Sequence, residues 1–478
     1  MVSENVAQFP AVIAASLEEA LTQDATCSRL EREILPDYLI RQRWYRSKAK
    51  QIAKASFDTW ERFPTTSGDK ANFTVVKVVL NDGNTERYVL PLVEISGLKE
   101  DFPRDKILCR LLNDHNATWI VDATETADYR VALLREALKK NMGPETSSEL
   151  IRGEQSNTSM MFSSGHFLKL YRRIEDGINP EPEMLAFLER AGYPSIPSFL
   201  GNVAWQPASS TPVVVAVAQA RIDARENAWE YVLERMSPLA RIAGNLEMET
   251  VPFPGHLADW VKLLGKRTAG LHLVLGSCHD DSAFAPEPLL PDDITAIRTS
   301  TEKILNDSLE QIKGRHPEAA DIVESALARL IELETALSKD ALGQKIRVHG
   351  DLHLGQILHS GHNFWFLDFE GEPTRILEER RRKYSPLRDT AGMLRSFHYA
   401  SHVAKAPALA TTMTRLFLES YFEIFSDSRL LPQTPSVRDD LLDLYVLEKT
   451  AYELHYELNN RPDWVEIPLL GLKFSNKS

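Results

Sequence analysis

The chain is poor in cysteine, with three in 478 residues. Cys27, Cys109 and Cys278 are far apart, and their spacing matches no metal-binding pattern. The small, odd number of thiols excludes a disulfide framework, and the spacing excludes the common structural zinc sites. The number and spacing of the cysteines therefore predict free thiols in a reducing compartment.

Long apolar runs and a surplus of positive charge are missing as well. No run approaches the length of a membrane-spanning helix, and the N-terminal sequence MVSENVAQFP lacks the basic and apolar segments of a secretory leader. The formal net charge of −13 argues against a general surface for nucleic acid or anionic membranes. We therefore expect a cytoplasmic protein with no nucleic-acid or membrane partner, and a small uncharged substrate is compatible with this charge.

The composition that remains, 43% hydrophobic and 26% charged, is that of a soluble globular protein with enough chain for two or three domains. Residues 1–100 predict a small α+β unit, because a helical pattern is followed by alternating strand-like stretches. Residues 101–222 predict a mixed connector and then a β-rich lobe, and residues 223–478 are mainly helical in pattern. The periodicity thus predicts an α+β protein with boundaries near 100 and 222.

The segment 348–373 carries the clearest chemical pattern, VHGDLHLGQILHSGHNFWFLDFEGEP. Asp351 precedes the amide of Gln356 by five residues and a second acid, Asp368, by seventeen. Phosphoryl transfer from ATP to a hydroxyl needs a carboxylate to accept the proton and oxygen ligands to hold Mg²⁺ on the phosphates. The order is that of a kinase catalytic loop and its metal loop. The alternative is a polar turn between two strands, with ordinary loop acids.

Lys169 lies between apolar residues in the predicted strand FLKLY, where a cation is costly unless it is paired. Glu183 stands fourteen residues later, in a helix that Asn179-Pro180 announces. This is the arrangement of the phosphate-contacting lysine and its helix glutamate in kinases. The alternative is an exposed lysine on an edge strand.

Two flanking stretches are candidates for contacts with a nucleotide. A loop of small polar residues before the Lys169 strand can cover phosphates with backbone N–H groups and hydroxyls, although a hairpin turn is the commoner explanation of such residues. The loop residues are Ser156, Asn157, Thr158 and Ser159. The apolar run 213–222 predicts a buried strand that leads into the joint between two lobes, so that its end, including Gln219 and Arg221, would face the adenine, more through backbone groups than side chains.

A predicted helix over 438–458 carries a candidate acceptor site for a sugar. Aromatic planes and a few charged groups commonly line small-molecule sites, and four residues spaced four, three and four apart share one face of this helix. They are Tyr445, Lys449, Tyr452 and Tyr456. Trp464 is a candidate wall after the helix. The alternative is that the tyrosines belong to the core and Lys449 reaches outward to solvent.

A strongly charged stretch follows the metal loop. In it, Arg388 and Asp389 predict either a contact that orients the catalytic loop or a contact to the substrate. The alternative is a salt bridge that caps a helix.

These motifs, with others along the chain, resemble those of bacterial maltokinases. The others are RWY (43–45), EQSNTS (154–159), LKLYRR (168–173), LGKRTAGLHL (264–273), FAPEP (284–288), SPLRD (385–389), AGMLRSF (391–397) and YELNNRPDW (456–464). Maltokinases are similar in fold to aminoglycoside phosphotransferases and eukaryotic-type protein kinases. The resemblance implies a bilobal protein-kinase-like fold with an N-terminal α+β cap, a small β-rich lobe and a large, mainly helical C-lobe.

The resemblance also implies a reaction. It is the ATP- and Mg²⁺-dependent transfer of the γ-phosphoryl group to the anomeric hydroxyl of maltose, which gives maltose 1-phosphate for α-glucan and glycogen synthesis by a maltosyltransferase. At the matching positions Asp351 would be the catalytic base, and Glu183 would orient Lys169 on the α- and β-phosphates, which residues 156–159 would cover.

Further roles are implied for metal and acceptor binding. The implied metal ligands are Gln356 and Asp368, with Glu370 as a further ligand. The implied acceptor-binding residues are Lys449, Tyr452 and Tyr456, and His353 lies close enough in the loop to help.

The chain departs from the family in two places. Ala220 stands where the family often has an acid, so adenine recognition would use the backbone, and Tyr45-Arg46-Ser47 replaces a commoner phenylalanine followed by small residues. Rival functions are a kinase of the same fold that acts on glucosamine or an aminoglycoside, and an inactive nucleotide-binding scaffold subunit for trehalose synthase, with which some family members associate.

Overall fold

The computed structural model describes residues 9–65, 70–113, 117–143, 145–153, 156–207, 211–243, 253–338, 341–361, 363–426 and 428–474. Glu154 and Gln155, which begin the predicted phosphate-covering loop, lie outside these residues. The chain divides into two compact units, the first made of Met1–Pro182 and Ser198–Arg221 and the second of Glu183–Pro197 and Ile222–Ser478. The later division falls beside the boundary expected near 222, whereas residues 183–197 join the second unit.

The first unit contains short helices and many strands. They are β1 (Ala11–Ile13), α1 (Leu17–Thr22), α2 (Asp24–Arg29), a π-helix (Leu30–Ile34), α3 (Leu35–Arg41), β2 (Ile52–Pro64), β3 (Lys70–Leu80), β4 (Thr85–Val89), β5 (Leu92–Ile95), β6 (Ile107–Leu112), β7 (Ala117–Asp122), α4 (Ala127–Leu138), β8 (Ser148–Leu150), β9 (Thr158–Phe162), β10 (His166–Leu170), β11 (Arg173–Ile174), the start of α5 (Pro180–Arg190), β12 (Phe199–Trp205) and β13 (Val213–Ala220).

An eight-stranded sheet, in the order β1-β6-β7-β5-β3-β4-β11 with β2 paired to β3, forms most of the first unit. Strand β3 pairs with β2 along its length and also with β4 and β5. Its alternating residues Val76 and Val78 are buried in one core with Trp44, Tyr45 and Tyr88. Removing these large apolar surfaces from water stabilises the sheet.

The stretch expected to be a connector, 103–140, supplies two strands of that same sheet, β6 and β7, before α4 begins. Leu108, Leu111 and Ile120 of these strands are buried in the core that β3 also faces. Apolar side chains must be covered by some other element, and here the neighbouring strands cover them.

A second sheet of five antiparallel strands follows, in the order β12-β13-β10-β9-β8. Strand β10 lies between β13 and β9, and its Lys169 is opposite Val217 on one side and Ser159 on the other. Lys169 therefore lies on an inner strand, not on the edge strand that was the alternative.

The second unit is mainly helical. Its elements are the rest of α5, β14 (Glu226–Asn227), α6 (Ala228–Ala243), α7 (Gly255–Leu275), β15 (Glu287–Pro288), α8 (Pro291–Arg315), α9 (Ala320–Leu337), β16 (Gln344–Lys345), β17 (Ile357–Ser360), β18 (Asn363–Phe366), α10 (Leu377–Arg380), α11 (Leu387–Val403), α12 (Ala408–Ile424), α13 (Pro435–Asn460) and α14 (Glu466–Phe474). In the described part of the chain, no helix is long and apolar enough to cross a membrane.

Helices α7 and α12 approach each other closely at Gly265. A Cβ atom at that position would lie 2.6 Å from the carbonyl oxygen of Phe417, a backbone atom that cannot rotate away. The absence of a side chain at Gly265 is therefore a packing requirement of this helix pair.

We expect Gly265→Ala to lower the free energy of unfolding by about 1–3 kcal/mol, because the added methyl group overpacks the contact between α7 and α12. Thermal unfolding of the full chain measures this. The control is Gly314→Ala in α8, where an added Cβ meets nothing within 4 Å and alanine favours the helix. Equal thermal midpoints for the two variants would contradict the packing argument.

Candidate active site

One buried carboxylate, that of Asp389, holds the loop that carries Asp351. Asp389, in the first turn of α11, accepts hydrogen bonds from the backbone N–H groups of His349 (2.7 Å) and Gly350 (2.9 Å). The ring of His272 donates to the same carboxylate at 3.1 Å. Burial alone would raise the pKa of Asp389, but the hydrogen bond and charge of His272 outweigh it and the pKa is lowered. The orienting role predicted for Asp389 matches this geometry.

The candidate metal ligands flank the hairpin of β17 and β18. The side-chain amide of Gln356 donates to Asp368 at 3.0 Å, and carboxylate oxygens of Asp368 and Glu370 lie within 4.8 Å of each other. Asp368 has a φ of +63°, a conformation that non-glycine residues adopt rarely and that often marks a functional site. Two carboxylates and one amide oxygen form a set of hard ligands that fits Mg²⁺.

Lys449 connects the predicted base to the predicted acceptor face. From α13 it donates to Asp351 at 3.1 Å and to Glu372 at 2.9 Å. Burial works against its charged form, but the carboxylates of Glu372 and Asp351 outweigh burial and raise the pKa of Lys449. The lysine is therefore a fixed cation beside the base.

Glu372 is the centre of a charged network that the sequence reasoning missed. It is buried and, besides Lys449, it accepts hydrogen bonds from Arg375 and Arg388. Burial opposes its charge, yet Lys449 and the two arginines lower the pKa of Glu372. The signal was available, since this glutamate stands in the motif DFEGEP.

Arg388 lies inside this network. Its guanidinium is 9% exposed and donates to both Glu372 and Glu448 at 3.3 Å. Of the two roles expected for Arg388, the geometry favours orienting the site over contacting an acceptor.

The aromatic residues of α13 are divided between core and surface. Tyr445 is 1% exposed and belongs to the core, whereas Tyr452 and Tyr456 are partly exposed and stack with centroids 6.4 Å apart. A second stacked pair, Tyr399 and Trp464, has centroids 6.2 Å apart. Sequence spacing could not predict Tyr399 as a partner of Trp464, because it lies on another helix.

His353 caps the turn after the catalytic loop. Its Nδ1 accepts the backbone N–H of Gly355 at 3.0 Å, and burial is the main cause that lowers the pKa of His353. The neutral ring thus holds the turn that presents Gln356.

In the first unit, Lys169 is paired with Glu181 rather than Glu183. The ammonium donates to Glu181 at 2.8 Å, and Tyr171 donates its hydroxyl to the same carboxylate at 2.7 Å. The predicted partner was therefore wrong by two positions. Residues two apart on a helix point roughly 200° away from each other, and spacing along the chain could not decide which acid faces the lysine.

Glu183 has other partners, both in the second unit. It accepts hydrogen bonds from Arg347 at 2.7 Å and from Arg381 at 2.6 Å. Burial opposes its charge, but these guanidinium groups lower the pKa of Glu183. Glu183 therefore compensates the positive charges of Arg347 and Arg381.

The predicted phosphate-covering residues differ in their surroundings. Asn157 and Thr158 accept hydrogen bonds from the backbone and side chain of Arg172, at 3.3 and 2.7 Å. Ser156 begins the described part of the loop, and Ser159 is buried opposite Lys169. Arg172 was missed, although it stands in the motif LKLYRR.

The predicted adenine-facing residues end the first unit. Gln219 is 5% exposed, and its strand β13 pairs it with Phe167 and Phe199. The backbone N–H of Arg221 donates to Gly165 at 2.9 Å. The backbone at this strand end is thus held in place.

The chain is similar to known proteins over most of its length. Residues 38–125 match the maltokinase N-terminal cap domain family. Glucosamine kinase of Streptacidiphilus jiangxiensis is 24% identical over 407 residues, which cover 82% of this chain and 87% of that protein. Glucosamine kinase of Mycolicibacterium smegmatis is 24% identical over 338 residues, 67% of this chain and 79% of that protein. A structure of glucosamine kinase in complex with glucosamine, ADP and inorganic phosphate matches with a TM-score of 0.60 and 20% identity over 94% of this chain and 98% of that one.

The fold is therefore that of a kinase-like α+β protein, as the sequence predicted. Residues 38–125 are thus similar to a maltokinase cap domain, and over most of its length the chain is similar to glucosamine kinases in sequence and fold.

We expect Glu181→Gln to lower kcat/KM for ATP by roughly 10- to 100-fold, because charge-assisted hydrogen bonds contribute about 1.5–3 kcal/mol. Glu183→Gln is the matched control. It should mainly lower the free energy of unfolding, by roughly 2–4 kcal/mol, since two arginines lose their counter-ion. Steady-state kinetics and thermal unfolding of both variants measure these effects. A larger kinetic defect in Glu183→Gln than in Glu181→Gln would contradict the assignment of Glu181 as the partner of Lys169.

Proposed function

We propose that the protein is an ATP-dependent sugar kinase that phosphorylates maltose at the anomeric hydroxyl and forms maltose 1-phosphate for α-glucan and glycogen synthesis. The observation that carries the proposal is the bond between Asp351 and Lys449, because it joins a kinase-type catalytic loop to an aromatic, partly exposed helix face. The maltokinase cap family supports maltose as the acceptor.

Nucleotide-binding roles are assigned in each unit by itself. Lys169, held by Glu181, binds the α- and β-phosphates, and residues 156–159 cover them. Gln356, Asp368 and Glu370 hold Mg²⁺. When bound, this ion supplies positive charge that offsets the charge developing on the phosphates.

The acceptor end is assigned to the face of α13. Tyr452 and Tyr456 offer ring planes to the C–H faces of a sugar, and Lys449 offers N–H donors to its hydroxyls.

The reaction is an in-line displacement. The anomeric oxygen forms a bond to the γ-phosphorus, the bond from that phosphorus to the bridging oxygen of ADP breaks, and the hydroxyl proton passes to Asp351. Asp389 keeps the loop in place through two backbone N–H groups, so that Asp351 does not have to be repositioned during the reaction. Lys449 stabilises the carboxylate before the proton arrives.

A second candidate function is phosphorylation of glucosamine. It is favoured by the two curated relatives, which are glucosamine kinases matched over most of their length. The partly buried carboxylate of Glu453, which accepts a hydrogen bond from Arg395 at 2.7 Å, lies next to Tyr452 in sequence and is a candidate partner for an ammonium group.

To decide between these acceptors, ADP release should be measured with maltose, glucose, glucosamine and kanamycin under matched conditions. We expect the highest kcat/KM with maltose, and a product whose phosphate is on the anomeric carbon by ³¹P NMR. A higher value with glucosamine would replace the maltose assignment. Absence of ADP release with every sugar, together with tight binding to trehalose synthase, would favour the scaffold function.

Asp351→Asn should reduce turnover by at least about 100-fold, because an amide cannot accept the hydroxyl proton. Affinity for ATP should stay within about threefold of the wild type, since the predicted phosphate and metal ligands are unchanged. Single-turnover kinetics and nucleotide titration separate these effects. Turnover like that of the wild type would remove Asp351 from the role of base.

A further inference from the structure

The second unit contains a cavity of about 490 Å³ that the proposed reaction does not use. Its walls come from residues 282–289, the first turns of α8, residues 375–384 and one side of α13. The volume lies within the range of small-molecule binding sites. Tyr452 and Tyr456, the proposed sugar-binding rings, are not among the described residues that line it.

The walls of this cavity are rich in positive charge. Six cationic residues line it, Lys345, Arg347, Arg375, Arg381, Arg382 and Lys383. Four acids face them, Glu287, Asp293, Glu379 and Glu448. Among the lining residues cations outnumber acids, while Glu183 and Glu372, which lie outside the lining, pair with Arg347, Arg381 and Arg375.

The cations of this cavity differ in their partners and in their exposure. Arg382 is 56% exposed on its side chain, and its contact to Glu378 is 3.5 Å long. Lys345 donates to Asp293 at 2.9 Å and lies 3.9 Å from Glu287, and it lines the cavity with a side chain that is 20% exposed. By contrast, Lys383 is only 9% exposed and bound to Glu287 and two carbonyls, which makes it part of the wall.

Neutral polar groups complete the lining. Ser282, Ser300 and Tyr384 line the same space, next to Leu289 and Ile297. A bare inorganic ion needs only the cations. Hydroxyls, an aromatic ring and aliphatic side chains together suit a polyhydroxylated ring that carries an anionic group.

The cavity shares part of its wall with the catalytic loop. Arg375, Tyr445 and Glu448 line it and also line the small space beside Asp351 and Lys449. Arg375 donates to Glu448 at 3.1 Å and to Glu372, the second partner of Lys449. An anion that attracts Arg375 would therefore change the charge around Lys449 and Asp351.

We propose that this cavity is a second ligand site, for a monophosphorylated sugar, and that its occupancy is coupled through Arg375 and Glu448 to the catalytic loop. The phosphate is held by Lys345, Arg375 and Arg382, and the ring lies against Tyr384 and the serine hydroxyls. The coupling part of this proposal rests on the proposed sugar kinase activity, whereas the binding part does not.

The test is isothermal titration calorimetry of the full chain with glucose 1-phosphate. We expect one saturable site in the presence of saturating maltose, and roughly tenfold or greater weakening in Lys345→Gln/Arg382→Gln, which removes two charge-assisted contacts. The matched control is Lys313→Gln/Arg415→Gln, which removes the same charge from two exposed ion pairs elsewhere in the second unit. It should bind as the wild type does.

Arg382→Glu provides a second variant that cannot disrupt packing, because this side chain is largely exposed. It should also weaken binding. No saturable binding, or binding that is equal in wild type and Lys345→Gln/Arg382→Gln, would overturn the site. Equal affinity for inorganic phosphate and glucose 1-phosphate would overturn the sugar part of the assignment.

Coupling is tested by the KM for the acceptor. Glucose 1-phosphate should change it by roughly fivefold or more in the wild type and not in Lys345→Gln/Arg382→Gln. An unchanged KM in a protein that binds glucose 1-phosphate would overturn the coupling. Binding without any kinase activity would instead count against the proposed function, so the two failures can be told apart.

Discussion

The candidate site depends on the way Lys449 is shared between Asp351 and Glu372. Charged side chains are expensive to remove from water, and they remain charged in a protein only where opposite charges and hydrogen bonds surround them. The shared lysine meets this condition for both acids, and Arg375 and Arg388 complete it for Glu372. If one member were lost, an uncompensated charge would remain beside the catalytic loop. The network therefore sets both the position of Asp351 and the electrostatic field in which it acts.

The same requirement explains why two acids of helix α5 have different duties. Glu181 compensates Lys169 on an inner strand, and Glu183 compensates Arg347 and Arg381 in the second unit. Residues two positions apart lie on almost opposite faces of a helix, so the carboxylates of Glu181 and Glu183 pair with different cations. A kinase-type lysine needs a helix acid, but any acid on the correct face meets the need. Which acid pairs with the lysine depends on the helix face that is turned toward it, and not on the distance along the sequence.

Backbone geometry contributes as much to the site as charge does. Gly350 has a φ of +85° and Asp368 a φ of +63°, and both lie where the chain turns to present a functional carboxylate. Glycine adopts this conformation without strain, whereas aspartate adopts it at a cost that surrounding contacts must offset. The hydrogen bond from Gln356 to Asp368 is such a contact, and so are the hydrogen bonds that Asp389 accepts from the backbone of the loop. The candidate base and metal ligands are therefore held ready by the second unit itself.

Much about this protein follows from the order of residues alone. Periodicity locates the long helices of the second unit and the strand of Lys169, because local geometry repeats every few residues. The spacing of Asp351, Gln356 and Asp368 indicates the class of chemistry. The partners of charged groups do not follow from it. Lys449 and Asp351 are 98 residues apart. Residues 103–140 supply strands β6 and β7 to a sheet instead of forming a connector, because apolar residues of these strands are buried in the core of that sheet. Contacts of this kind depend on which surfaces packing brings together, so only the tertiary structure decided them.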